Sequence, residues 1–522
     1  MTRPLLLAAL VCAGIALVAA GPAAARTVHP GAPFRVVVVD RMSHSTFKLL
    51  AERGAVGLLR ASYGPATNRR RALAQLIRGA ETNARLGGLP AGKPLINASR
   101  IAFFRGCQMC IVVKLPPRGR PIANHRLFRI AVIGRGFHGL LTSPTTRIPG
   151  LVSIVDVAPT ALGRALGGMS WAPSSASASV AVVDGLDAQV HSEDRMKYAG
   201  LFIAAAIAIL LALLGWSAAL TAIPAALLAN LALGVLHPAN EVAIVAVFTV
   251  ATAVAALGLA RICRDDLALL GLIVLVLLAY LVVFAERPEW AAVTPLGPDQ
   301  NLRFWGIGDQ IATLLLAPLL VGAVIARRRL GWAGFAVFSL LGLFLMTDNR
   351  LGANGGGAIG LGLALAVLGV RLSRRGWLAL VAAVTLSATI VLGIVQYGLA
   401  SSGPNHLRSA FGSGIAGFVH VAANRVPLVY APALHDWPLT LPLAVLLVVS
   451  GVLALRVTRA RDARDLLLAL ATGLIASLVI NDATGFMLAG GIACASAVAR
   501  FTPSGEALRV PVLSRSPRGY LG

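Results

Sequence analysis

Of 522 residues, 57% are hydrophobic and only 13% are charged, and the mean hydropathy is +0.79. Soluble domains are about a quarter charged, so this composition belongs to a membrane protein. Lys and Arg number 46 against 21 Asp and Glu, a net charge of +25. In a soluble chain that excess would point to nucleic acid; here the alternation of spans and loops accounts for it. Five Cys exclude a disulfide-rich scaffold and a multi-Cys zinc module.

The first 25 residues carry Arg3, an apolar run from Leu5 to Ala20, and a closing Ala23-Ala24-Ala25. Residues 1–25 therefore read as a secretory signal peptide or, alternatively, as an uncleaved first transmembrane helix. Either puts the next segment outside the cytoplasm. Residues 27–197 hold 23 Lys and Arg against 8 Asp and Glu, with no run long enough to span a bilayer. Strands are expected at 34–39, 55–60, 109–114, 129–134 and 151–155, and helices at 45–53, 68–79 and 157–167. This alternation predicts an α/β extracytoplasmic domain with a mostly parallel sheet. The Ser/Ala-rich stretch 170–179 reads as a loop, and 191–197 as a polar connector into the membrane.

Motifs in this domain carry a resemblance. Val36-Val37-Val38-Val39-Asp40 resembles the first strand of the alkaline phosphatase superfamily, which ends in a metal-binding Asp. The segment from Gly150 to Leu162, with Asp156-Val157-Ala158-Pro159-Thr160-Ala161-Leu162, resembles that superfamily's D-x-A-P-T-x-L motif, and Leu140 to Arg147 resembles a version found in membrane-fused members. The likeness covers residues 34–168. It implies an alkaline phosphatase-like fold, with Asp40 as a metal ligand and Thr67 at the nucleophile position. Phosphoryl transfer of that kind needs two divalent ions held by several Asp and His, and the chain contains no Asp-His-Gly triplet. The expectation is a degenerate domain that keeps the fold without the catalysis. Asp40 then caps a strand-to-helix turn and Thr67 caps a helix. No metal and no cofactor is expected. Cys107 and Cys110 form a C-x-x-C ahead of a strand rather than at a helix N-terminus, so a local disulfide is expected instead of a thioredoxin-like redox site.

From residue 198 eleven spans are expected, at 198–216, 218–236, 242–260, 267–285, 309–326, 331–347, 356–370, 377–398, 438–455, 466–480 and 485–499. They make up a polytopic all-α domain at 198–500, followed by a cytoplasmic tail at 501–522. Loops that alternate to one side, with the tail, hold 16 Arg; the opposite loops hold five, Arg287, Arg303, Arg350, Arg408 and Arg425. The positive-inside rule makes the Arg-rich side cytoplasmic and places residues 27–197 outside a bacterial plasma membrane, with the C-terminus inside.

Four Gly/Asn/Asp-rich runs fall on the outer side, at 301–310, 347–357, 403–408 and 481–485. Their candidate substrate-binding residues are Arg303, Asp309, Asp348, Arg350, Asn354, His406, Arg408, Asn481 and Asp482. Gly lets backbone bend toward a ligand, and ionisable residues at membrane depth are functional candidates. Together these runs resemble motifs of a bacterial polytopic membrane family with the same phosphatase-like outer domain. The Gly-rich run 352–362 lacks the Lys-Ser/Thr of a phosphate loop, so no nucleotide is expected.

Three function classes follow. The first is a transporter or flippase-like protein handling an anionic or lipid-linked envelope substrate at an outward-facing polar cavity. The second is a membrane-embedded transferase or phosphohydrolase. The third is a non-catalytic envelope scaffold. The expected partners are membrane lipids and an anionic or lipid-linked envelope polymer, not nucleic acid.

Overall fold

The computed structural model describes residues 33–61, 66–79, 95–96, 98–100, 107–123, 126–134, 136–163, 168–214, 218–236, 240–298, 304–348, 350–401, 437–458, 461–481 and 484–501. Successive residues of a strand point to opposite faces, and the run of valines at 36–39 supplies both. The N-terminal elements are β1 (Arg35–Val39), α1 (His44–Arg53), β2 (Gly54–Arg60), β3 (Ala66–Thr67), α2 (Arg69–Arg78) and β4 (Ala98–Arg100). They continue with β5 (Cys110–Lys114), β6 (Ile122–Ala123), β7 (Phe128–Ile133), β8 (Gly139–Thr142), β9 (Leu151–Ser153), α3 (Val157–Ala161), β10 (Ser170–Ala172) and α4 (Ala176–Leu213).

The main sheet has the order β10-β8-β2-β7-β5-β1-β4, with β9 also paired to β2. It is mixed: β1, β2, β4, β5, β8 and β9 run in one direction, in line with the expected mostly parallel sheet, while β10 runs against β8 and β7 against both β2 and β5. The connection from β5 to β7 carries Pro116, Pro117, Gly119 and Pro121. Such a segment cannot form the crossover helix that a parallel return needs. Val36, Val38, Ile111, Val113, Ile130 and Val132 pack on one face against α2 and α3. Val37, Val39, Val56, Leu58 and Val112 pack on the other against α1 and α4.

α4 overturns two expectations. The stretch 170–179 contains β10 and the start of the helix, capped by Ser175, whose hydroxyl accepts from Ala178 N at 3.3 Å. Residues 191–197 form no connector; they lie inside a helix of 38 residues. Val180, Val183, Leu186 and Val190 recur at helical spacing and bury one side against the sheet. The polar residues that follow are themselves competent helix formers.

The rest of the described chain is helical: α5 (Ala219–Leu236), α6 (Glu241–Ile262), α7 (Asp266–Glu286), α8 (Glu289–Ala292), α9 (Asp309–Thr347), α10 (Gly355–Ser373), α11 (Trp377–Ser401), α12 (Trp437–Val457), α13 (Arg461–Ile480) and α14 (Thr484–Val498). Among the described residues nine helices are long and apolar enough to cross a membrane, α4 contributing Arg195–Leu213, and α14 is a shorter apolar helix. The protein is a multi-pass membrane protein. α9 is not one straight rod. Gly331 takes φ 75°, a left-handed value that glycine adopts without penalty, and the helix reverses there. Phe338 fills the gap at Gly322 and Leu319 the gap at Gly342, so the two halves lie side by side.

Loops alternate between two ends of the bundle. At one end Arg328 pairs with Asp462 at 2.9 Å and Arg371 with Asp465 at 2.8 Å, while Arg500 donates to Ala212 O at 2.6 Å. The other end carries 287–298, 304–308, Asp348, 350–354 and Asn481, and the α/β domain is seated on it.

Candidate functional site at the domain-proximal mouth

The start of α10 at this end is organised by a short polar side chain. Asn354 is the N-cap of α10, its Oδ1 accepting from Gly357 N at 2.8 Å. Its amide nitrogen faces away from that helix and donates to Ile307 O at 2.9 Å and to Asp309 Oδ1 at 3.2 Å. One side chain therefore links the first residue of α9 to the first turn of α10. Asn481 ends α13 beside them, close enough that a methyl group at Gly356 would overlap its Oδ1. Deeper in the bundle α10 and α13 cross with Gly360 and Gly473 facing each other, which lets these helix ends approach.

Asp348 and Arg350 occupy the turn between α9 and α10. Asp348 is fully buried and accepts from Arg350 N at 2.8 Å, Nε at 3.2 Å and Nη2 at 3.1 Å. The charges of this pair are spent on one another. Ile307 N donates to Gly352 O at 2.9 Å, which ties the turn to the strand-like run ahead of α9. Two groups next to these carboxylates remain unsatisfied: Gln310 Nε2 and Thr347 Oγ1 are buried with no hydrogen-bond partner among the described residues. Buried polar groups are nearly always paired in folded proteins, so such groups at the first turn and the last residue of α9, beside Asp309 and Asp348, mark a place for a ligand, ion or water.

Of the nine candidate substrate-binding residues, Asp309, Asp348, Arg350, Asn354 and Asn481 gather at this mouth. Arg303, His406, Arg408 and Asp482 lie outside the described residues. Asp309 is not a helix cap, because Gly308 holds the N-cap position of α9.

The α/β domain reaches into the same turn. Asp156, the acid of the D-x-A-P-T segment, is buried; its carboxylate accepts from Thr145 Oγ1 at 2.6 Å and Ser153 N at 2.8 Å. Thr160 Oγ1 donates to Asp156 O at 2.6 Å. These bonds brace the 143–147 turn. Thr145 O then accepts from Trp305 Nε1 at 3.0 Å, and Arg147 donates to Arg350 O at 2.6 Å. Burial pulls the Arg147 guanidinium down to about 10, with Asp348 opposing, so it stays charged at neutral pH. Arg147, Thr145 and Trp305 were not candidates from the sequence. Their contacts span 160 residues or more, and no local pattern reports such a contact.

The phosphatase-like candidates are placed differently. Asp40, directly after β1, accepts from Arg69 Nη1 at 2.7 Å, and the N-cap of α1 is Ser43. Thr67 is fully buried with its hydroxyl unpartnered among the described residues, and the N-cap of α2 is its neighbour Asn68. An arginine beside Asp40 occupies the position a cation would need. Among the described residues no three His, Cys, Asp or Glu side chains cluster as metal ligands. Cys107 and Cys110 are free thiols, not the expected disulfide. Cys110 opens the interior strand β5, where burial, and then the Cys107 side chain, push its thiol up to about 12. No family model, no curated protein and no solved structure matches this chain.

Proposed function

We propose that the chain is a transporter or flippase-like protein of a bacterial envelope, with the α/β domain outside the plasma membrane and the Arg-rich end in the cytoplasm. On this reading the membrane is crossed eleven times, with the two halves of α9 and the short α14 each counting as a span. Its substrate is anionic or lipid-linked and enters at the mouth formed by the starts of α9 and α10 and the end of α13. The α/β domain is read as a phosphatase-superfamily fold that has lost its metal chemistry. The observation that carries the site is the pair of buried, unsatisfied groups on Gln310 and Thr347, beside Asp309 and Asn354. Helix starts that carry the positive end of the dipole favour an anionic group, and paired helix ends at membrane depth are a device of transporters.

Native mass spectrometry of the full-length protein extracted with its lipids tests the reading. Wild type should carry an anionic lipid or lipid-linked species that Gln310→Ala and Thr347→Val both lose while retaining their thermal stability. Unchanged lipid complements in both variants would remove the mouth as a site. A scaffold reading draws on a different observation, the Asp348–Arg350 pair under Arg147, whose charges are already satisfied within the chain. Under it, stability changes in mouth variants without any change in bound lipid.

A further inference from the structure

α4 carries two charged groups into the boundary between the α/β domain and the bundle. Glu193 and Lys197 are 5% and 4% exposed, and Glu193 Oε2 has no hydrogen-bond partner among the described residues. Steps of four along a helix place Gln189, Glu193 and Lys197 on one face, with Gly200 a further turn on. That face meets residues 293–298. Gln189 Nε2 donates to Val293 O at 3.3 Å, and Pro295 sits in the space a side chain at Gly200 would need. The 293–298 segment is wholly buried and contains no charged residue. It is anchored on its far side by Leu296 N, which donates to Asn230 Oδ1 of α5 at 3.0 Å.

We propose that Glu193 is a protonation switch for this joint: with the proton bound, α4 is seated on the 293–298 segment, and when the proton leaves the seat opens.

A buried carboxylate with an oxygen that accepts no hydrogen bond is costly, and the group responds by keeping its proton. Burial pushes the Glu193 carboxyl up to about 8, against the pull of Lys197. Charge from other packed elements does not change this. The 293–298 segment, α5 and α14 carry no charged residue. On α6 Glu241 is held by Arg195 at 3.0 Å, and Arg195 also bonds His191 at 2.9 Å. The charged residues of α1 belong to the other end of α4, where His44 lies 3.6 Å from Asp184. Because the seated carboxyl sits above its ordinary value, its stabilisation is complete at acid pH and is lost as pH rises through about 8. At neutral pH the seated carboxyl still holds its proton, with part of that stabilisation already gone, and alkalinity at the outer face removes the rest.

Hydrogen exchange read by mass spectrometry on the full-length protein in lipid nanodiscs, corrected for intrinsic rates, tests the switch between about pH 6.5 and 9.5. Exchange in 287–298 should rise by up to about tenfold per pH unit on the approach to a midpoint near 8 and level off beyond it. Glu193→Gln, which mimics the protonated form, should remain slow throughout. Lys197→Met should move the midpoint to higher pH. Three results would overturn the proposal: pH-independent exchange in wild type, an unaltered transition in Glu193→Gln, or failure of Glu193→Gln to fold. The last would mean that the negative charge itself holds the joint. A Lys197→Met midpoint that stays or falls would count against it equally.

Discussion

The guanidinium of Arg147, from the α/β domain, lies 3.9 Å from the ring centroid of Trp305, from the run that leads into α9. Arg147 adopts φ 56°, uncommon for a residue with a side chain. The strain is held by the braced turn around Asp156, and the stack, the Arg147 bond to Arg350 O and the Trp305 bond to Thr145 O all converge on one contact. The loop that bears the mouth residues is thus fastened from outside the membrane.

Trp305→Ala should therefore cost about 2–4 kcal/mol in denaturant unfolding, combining lost burial with a lost cation–π contact. Trp305→Phe keeps a ring for Arg147 but drops the bond to Thr145, and should cost about 1 kcal/mol more than nothing. Arg147→Lys should behave nearer to Ala than to wild type, since an ammonium neither stacks nor forks in the same way. Equal stability of Trp305→Ala and wild type would show that the contact is idle.

Asp348→Asn strands Arg350 and removes the acid that supports Arg147, so it should destabilise by about 3 kcal/mol. Arg350→Gln leaves a fully buried carboxylate and should be comparable. The double variant should be milder than the sum, because each single change leaves an uncompensated charge. Strict additivity in a double-mutant cycle would refute the pairing.

Sidedness is open to a direct chemical check. Glu286 and Gly376 are both exposed and lie at opposite ends of the bundle. In a cysteine-free background, Glu286→Cys should react with an impermeant thiol reagent in intact cells, and Gly376→Cys only after permeabilisation. Thr294, at the same end of the bundle as Glu286, is a poor reporter because it is 1% exposed. The reverse labelling pattern would invert the orientation.

Cys110, with its thiol pushed up to about 12, stays protonated across the accessible range. At about pH 8.5 an alkylating reagent should modify the half-buried Cys107 of the folded protein and spare Cys110, while both react after unfolding. Mass spectrometry of the alkylated, unreduced chain reads both outcomes. Loss of two hydrogens with neither residue alkylated would restore the disulfide.

Full-length protein should not hydrolyse a generic phosphate ester above blank with Mg²⁺, Mn²⁺ or Zn²⁺ supplied, because the carboxylate of Asp40 is engaged by Arg69. Turnover that vanished in Thr67→Ala would return catalysis to the α/β domain.

What the sequence reported well follows from the solvent. In lipid a helix must satisfy its own backbone, so apolar length alone marks it, and α5, α6, α7, α10 and α11 end within three residues of expectation. The break in α9 was legible too, since Arg327, Arg328 and Arg329 followed by Gly331 mark a turn. The joint was not legible. His191 to Lys197 look like a connector because polarity is read as exposure, yet Glu193 and Lys197 are buried by a segment a hundred residues away. Asp309, Asn354 and Asn481 could be gathered from loop alternation, which fixes the end of the bundle at which each falls. That Asp348 and Arg350 would neutralise each other could not, because a turn and not a periodicity brings them together.

One hydrophobic cluster contains Val37, Val56 and Val112 of the sheet, Leu186 and Val190 of α4, and Ala292, Val293, Phe304 and Trp305 from the far side of three membrane helices. The α/β domain is for this reason not a detachable module. A cut after residue 175 would take away a wall of its interior, and a cut after 197 would still expose the surface that Phe304 and Trp305 cover. Grafting this domain onto another membrane protein, or trading it for a relative's, requires the receiving bundle to bring its own matching aromatic pair. The two halves are bound to change together, residue for residue, wherever that interior is touched.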